Sequence, residues 1–117
     1  MISAYSSAQT ALKAFGTKIN SNANNIANAN TNEFKKTRVT NATTETQGVK
    51  ATVDKVNTPG TSIFEETGAG MERVELSNVD LASELTEMTT NSQFYKANLK
   101  TIETVNEMTG ELLNIKS

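Results

Sequence analysis

The sequence contains no cysteine and no histidine, so the side chains most often used in metal clusters and nucleophilic sites are missing. A disulfide framework, a thiolate centre, a His-containing triad and a Cys/His zinc site are therefore excluded. Carboxylates remain, but the Glu65-Glu66 pair lies in a glycine-containing stretch, where acidic pairs are ordinarily exposed to solvent. We expect no enzymatic activity, no metal and no cofactor.

Apolar residues are also scarce, at 36% of 117 residues with only 5% aromatic. This composition provides a thin core and favours an elongated helical form over a globule. Continuous apolar stretches long enough to span a bilayer are missing, so direct membrane insertion is not expected. A cleaved secretory signal peptide is not expected either, because polar residues interrupt the apolar ones near the N-terminus.

Charge is distributed unevenly along the chain. The net charge of -2 gives no whole-chain reason to bind nucleic acid, and no nucleic-acid partner is expected. Residues 1–38 carry +4, whereas residues 39–79 and residues 80–117 carry -3 each. The first end can therefore attract the second end or a neighbouring subunit.

Two stretches have helical periodicity. Near the N-terminus, apolar residues recur every three or four positions, and the polar run at 28–32 predicts the end of that helix. A second helix is predicted over about 81–115, with Ser77 or Asp80 as the candidate N-cap. The two apolar stripes give the expected helix-pairing seam: Leu12, Phe15, Ile19 and Ile26 on the first helix, with Leu85, Met88, Tyr95, Leu99 and Ile102 on the second.

The middle of the chain is rich in threonine and contains the turn-forming residues. Alternating apolar and polar residues predict one half-buried strand at 49–54. The predicted fold is mainly α, with the terminal helices paired as an antiparallel coiled-coil hairpin and a middle that is loop or small β. The expected divisions are residues 1–38, 39–77 and 78–117, with one domain built from both ends.

The segment Asn-Ala-Asn-Asn-Ile-Ala-Asn-Ala-Asn-Thr-Asn-Glu-Phe-Lys-Lys at 22–36 resembles the N-terminal signature of bacterial flagellar axial proteins. Segments 78–81, 93–98 and 111–115 resemble the C-terminal helix of the same rod and hook family. Both resemblances occur in the correct order. The chain is therefore similar to a short, proximal-rod-type member of the flagellar basal-body rod protein family.

The resemblance implies a structural subunit that self-assembles through its coiled-coil ends and transmits torque. Its implied partners are further copies of itself, other rod or axial proteins and the flagellar export apparatus. The implied location is the basal-body rod that crosses the periplasm, reached without a cleaved signal peptide. The family signature implies these subunit-contact residues: Asn24, Asn25, Asn28, Asn30, Phe34 and Asn98.

Alternative interpretations remain open at this point. The asparagine run is also typical of a polar helix terminus, and the apolar stripes are most simply the core of one chain. A soluble coiled-coil adaptor or an export chaperone-like binding module explains the periodicity as well, although it does not explain the asparagine run.

Overall fold

The structure, a computed structural model, describes residues 2–45 and 47–116. The molecule is elongated, with extents of 80, 25 and 18 Å. Along the chain, one long helix comes first, four short strands follow, and a second long helix comes last. The elements are α1 (Ile2–Ala27), β1 (Thr37–Thr43), β2 (Val49–Lys55), β3 (Ser62–Thr67), β4 (Gly70–Glu75) and α2 (Leu81–Lys116).

The predicted fold class, a mainly α coiled-coil hairpin with a loop or small-β middle, is wrong. Between the helices the chain forms two antiparallel two-stranded sheets, β1 with β2 and β3 with β4. The middle is therefore a substantial part of the fold. Its strands contain few apolar residues, and they are held by ladder hydrogen bonds to their partner strands, which a pattern of side chains does not reveal.

Helices α1 and α2 run in opposite directions along each other. The rings of Phe15 and Phe94 stack with centroids 5.2 Å apart. One residue further along α1, Gly16 lies against the ring of Tyr95. Near the end of α1, Asn22 instead reaches the first turn of α2. Contacts thus move toward the start of α2 as α1 advances.

The β1–β2 hairpin lies along a second side of α1. At the start of β1, the side chain of Asn25 bonds to the backbone of Thr37. At the start of β2, the N–H of Val49 donates to the Thr10 hydroxyl at 3.1 Å. Hairpin and helix are therefore joined at two points, and α1 is covered by α2 on one side and by the hairpin on another.

The β3–β4 hairpin, here called the arm (residues 62–75), projects from the rest of the molecule. In the described part of the chain it packs against neither helix. Phe64 and Met71 on the arm are 68% and 67% exposed. Because an isolated two-stranded hairpin is only marginally stable in water, the arm depends on its attachment at the base.

Asn78 connects three segments at that base. Its Oδ1 accepts from the backbone N–H of Lys36 at 2.7 Å, and its Nδ2 donates to the carbonyls of Val56 and Thr58 at 2.8 and 2.9 Å. Its own N–H donates to the Phe34 carbonyl. One side chain thus joins the end of the α1 region, the end of the first hairpin and the entry to α2.

Gly60 and Glu75 complete this junction. The Glu75 carboxylate accepts from the Lys35 ammonium and from the Gly60 N–H. The backbone of Leu76 approaches Gly60 so closely that a Cβ on Gly60 would lie 2.0 Å from the Leu76 carbonyl oxygen. Only glycine fits at this position without a shift of the backbone.

We expect Gly60→Ala to lower the free energy of unfolding by about 1–3 kcal/mol, because the new methyl group forces backbone atoms apart. Urea denaturation followed by circular dichroism measures this change. Gly110→Ala is the matched control. A Cβ at position 110 meets nothing within 4 Å, and alanine is favoured over glycine inside a helix. Equal stability of Gly60→Ala and the wild type would contradict the close approach of the Leu76 carbonyl to Gly60.

Acid should weaken the junction. The hydrogen bond from Lys35, with the Gly60 N–H, lowers the pKa of Glu75 below its ordinary value of 4.5. A lowered pKa in the folded state gives stabilisation that is complete above the ordinary pKa and is lost as pH falls through the folded value. We expect the stability difference between the wild type and Glu75→Gln to be constant well above the ordinary pKa of 4.5 and to shrink as pH falls below 4.5 through the lowered folded-state pKa.

Chemical denaturation at a series of pH values measures that difference. A difference that stays constant across the acid range would show that the Glu75 charge contributes nothing to the fold.

Candidate interaction surfaces and the polar core

The largest buried side chains of this fold are polar. In the part of the chain that the structure describes, the buried apolar residues are Ala8 and Ala14. Buried polar groups lose their water, so they stabilise a fold only when each finds a partner. The buried polar residues, each less than one-tenth exposed, are Asn22, Asn25, Glu84 and Asn91.

Asn22 is the centre of a hydrogen-bond network between the helices. Its Nδ2 donates to the Glu84 carboxylate at 2.7 Å and, more weakly, to Glu87 at 3.4 Å. Its Oδ1 accepts from Nδ2 of Asn91 at 2.9 Å. A shift of one helix along the other would break all three bonds. The network therefore fixes the register of α1 against α2, as buried asparagines do in coiled coils.

Asn25 likewise fixes the position of the β1–β2 hairpin against α1. Its Oδ1 accepts from the Thr37 N–H, and its Nδ2 donates to the Thr37 carbonyl, both at 2.9 Å. The Asn25 side chain thus forms with the Thr37 backbone the same pair of hydrogen bonds that a neighbouring β-strand would form. The hydroxyl of Ser21 lies 2.6 Å from that of Thr37. Side chains of α1 thus determine where β1 begins.

Other residues of the asparagine run close the helix locally. The Asn28 side chain donates to the Asn24 carbonyl at 2.9 Å, and its Oδ1 accepts from the Thr31 hydroxyl at 3.1 Å. Asn24 and Asn30 are exposed. A role of Asn24, Asn28 and Asn30 in subunit contacts therefore stays a prediction.

The two remaining residues of the predicted subunit contact are Phe34 and Asn98. Phe34 is half-buried in the junction, where its carbonyl accepts from the N–H of Asn78. Asn98 donates to the Phe94 carbonyl of its own helix at 2.8 Å. Phe34 thus lies at the end of the asparagine run, where its N–H donates to the Thr31 carbonyl, whereas the Asn98 bond stays within α2.

The predicted seam residues divide into two groups. Leu85 and Leu99 are 50% and 46% exposed. The buried residue Glu84 directly precedes the predicted seam residue Leu85, and the buried residue Asn91 lies one heptad further along α2. Sequence reasoning missed them because it followed apolar residues, although Glu84, Asn91 and Asn98 recur at the heptad interval that a helix seam requires. The half-buried seam residues are Leu12, Phe15, Ile19, Ile26, Met88, Tyr95 and Ile102.

Helix α2 consequently carries apolar side chains outside its contact with α1. At about 100° per residue they fall on two sides of the helix, with the α1-facing positions between them. We call these sides the leucine flank and the mixed flank. The leucine flank contains Leu81, Leu85 and Leu99. The mixed flank contains Met108 and Leu112, with Phe94 at its edge, where its ring stacks on Phe15 of α1. All six side chains are about half-exposed.

A groove of about 440 Å³ lies where α1, β1 and α2 meet. Three cationic residues line it, Lys18, Lys36 and Arg38. The polar core residues Asn22 and Glu84 also line the groove. We call this feature the cationic groove.

Residues 72–115, which cover most of β4 and nearly all of α2, match the family model described as flagellar basal body rod FlgEFG protein C-terminal. The C-terminal part is therefore of the flagellar rod type. The match confirms the expected rod-family resemblance and supports a structural, non-enzymatic role connected with the flagellar basal body. It also supports contacts with other basal-body proteins and location there.

Curated proteins gave no match to this chain. Of the two helices that the structure describes, neither is long and apolar enough to cross a lipid bilayer.

We expect Asn25→Ala to lower the free energy of unfolding by about 1–3 kcal/mol, because it leaves the Thr37 N–H and carbonyl without their partner at a buried site. Thermal or urea denaturation measures the loss. Asn30→Ala, in the same run but exposed, is the control and should change stability by less than about 0.5 kcal/mol. Similar effects of the two substitutions would mean that Asn25 acts only as a polar helix-end residue.

Proposed function

We propose that this protein is a structural subunit of the flagellar basal-body rod that assembles side by side with other rod-type subunits. In this proposal it reaches the rod through the flagellar export apparatus, and the assembled helices transmit torque. The match over residues 72–115 supports the rod assignment. The side-by-side assembly and the torque transmission are inferred from the exposed apolar side chains of α2.

The observation that carries the proposal is the presence of apolar flanks on both sides of the α1 contact. A helix that only pairs with α1 needs one apolar face, and its other faces are normally polar. Here six large apolar side chains remain about half-exposed on α2. Exposed apolar surface of this kind marks contact with other proteins. Two flanks allow α2 to contact two neighbours, which a subunit inside an array requires.

The polar core supports the same role. Association of many copies exposes the α1–α2 contact to sideways and twisting forces. The bonds from Asn22 to Glu84 and Asn91 resist sliding because they are directional, which nonspecific apolar contacts are not. A subunit with fixed internal register and apolar outer flanks is suited to carrying mechanical load.

Mass spectrometry of purified hook-basal bodies tests the proposal directly. The chain should remain after peripheral proteins are stripped from the preparation. Its absence from an otherwise intact rod would favour an adaptor or export-stage role instead.

Leu99→Asp should abolish incorporation into the rod and swimming motility, because a charge in the leucine flank would be buried against a neighbouring subunit without a partner. Since Leu99 is already 46% exposed in the single chain, the helical circular dichroism spectrum should change little. Gln93→Asp, on the outer side of α2, is the matched control and should assemble normally. Normal incorporation of Leu99→Asp would exclude the leucine flank as a subunit contact.

A further inference from the structure

The arm carries a concentration of negative charge near its turn. In the β3–β4 register, Glu65 lies directly opposite Glu72, and Glu66 is next to Glu65 on β3. Like charges at directly opposed positions destabilise an antiparallel pair. Arg73, the arm's cation, donates instead to the Ser62 hydroxyl at 3.0 Å. The arm tip therefore carries an electrostatic penalty that a cationic partner would remove.

The arm also exposes apolar side chains, on the face that carries Glu66 and opposite the face of Glu65 and Glu72. Phe64 and Met71 lie on the same face of the hairpin, diagonally across the two strands, and both are about two-thirds exposed. An exposed hairpin with an aromatic side chain, a thioether and three glutamates has the composition of a docking element. It requires a partner that combines positive charge with space for apolar side chains.

The cationic groove supplies the positive charge, and Val39 is the apolar residue of its lining. Neither of the ion pairs given by the described residues, Lys35 with Glu75 and Lys100 with Glu103, involves the groove's three cations. The two carboxylates at the groove, Glu84 and Glu87, both accept from Asn22. The groove's positive charge is therefore only partly offset by its own carboxylates.

We propose that the arm tip of one copy of this chain docks in the cationic groove of a second copy. This proposal rests on the proposed function, because it names the contact through which rod-type copies meet. Among the described residues the arm does not pack on the helices of its own chain, so its exposed side chains are accessible to a second copy.

Arm and groove are different surfaces, so each copy offers one of each. Such a heterologous contact generates an open helical array when its rotation does not close into a ring. The arm contact would then set the offset between neighbours, while the flanks of α2 supply buried apolar area.

A disulfide cross-link tests the contact between copies, and the cysteine-free chain makes every thiol an introduced one. Glu66→Cys places a thiol on the arm, and Thr86→Cys places one at the groove. The two purified full-length variants are mixed at low salt and mildly oxidised. We expect mixed dimers about tenfold or more above those formed by Glu66→Cys with Gln93→Cys, because docking raises the effective thiol concentration.

Equal yields from the two mixtures would overturn the proposal. Equal or greater cross-linking of Thr86→Cys with Glu107→Cys would also overturn it, because the acidic end of α2 would then be the occupant.

Charge reversal provides the second test. Glu65→Lys/Glu66→Lys should weaken self-association about tenfold or more at low salt, and Lys18→Glu/Arg38→Glu should do the same from the other side. Glu65→Lys also removes the repulsion with Glu72, so a loss of association cannot come from a weaker hairpin. All four changes in one chain should restore association, and Lys50→Glu should leave it unchanged. Failure of the combined variant to recover would contradict the pairing.

The two proposals fail separately. The cross-link uses purified copies and needs no flagellum, so it can succeed even if the chain is absent from hook-basal bodies. Conversely, arm variants that enter rods normally would overturn the docking contact and leave the rod assignment intact.

Discussion

Pairing of α1 with α2 depends on hydrogen bonds between buried polar side chains, since few apolar side chains are buried in this fold. Each buried amide or carboxylate loses its water on folding and must recover an equivalent bond. Asn22 meets this requirement with Glu84 and Asn91 in a single register. Any other alignment of the helices would leave these groups buried without partners. The polar core therefore determines the relative position of the helices more strictly than a leucine seam would.

Placing polar groups inside leaves apolar groups outside. Leu85 directly follows buried Glu84, and Leu99 directly follows Asn98, which lies one heptad after buried Asn91; both leucines are about half-exposed. Internal specificity and external association are thus assigned to different residues of the same helix. Hydrogen bonds align the two helices within one chain, and apolar side chains remain for contacts between chains. This division agrees with the rod-type match over residues 72–115.

The asparagine run shows how residues of one type take different roles through their positions. Asn25 is 1% exposed and bonds to Thr37 as a neighbouring strand would. Asn28 closes the helix end by local bonds, and Asn30 is exposed. Asn78 is outside the run but connects three segments of the junction. Composition alone predicts a polar helix end here, and only the partners of each amide distinguish a structural residue from a surface one.

The sequence by itself determined the two helices and their approximate ends, because periodicity, the polar run after Ala27 and the Asp80 cap act over a few neighbouring residues. It also excluded cysteine and histidine chemistry. Tertiary structure alone decided that the middle forms two hairpins and that Glu84 and Asn91, not Leu85, face α1. The reason is physical: Asn22 and Glu84 are 62 residues apart, and the energy of their bond depends on a meeting that no local pattern records.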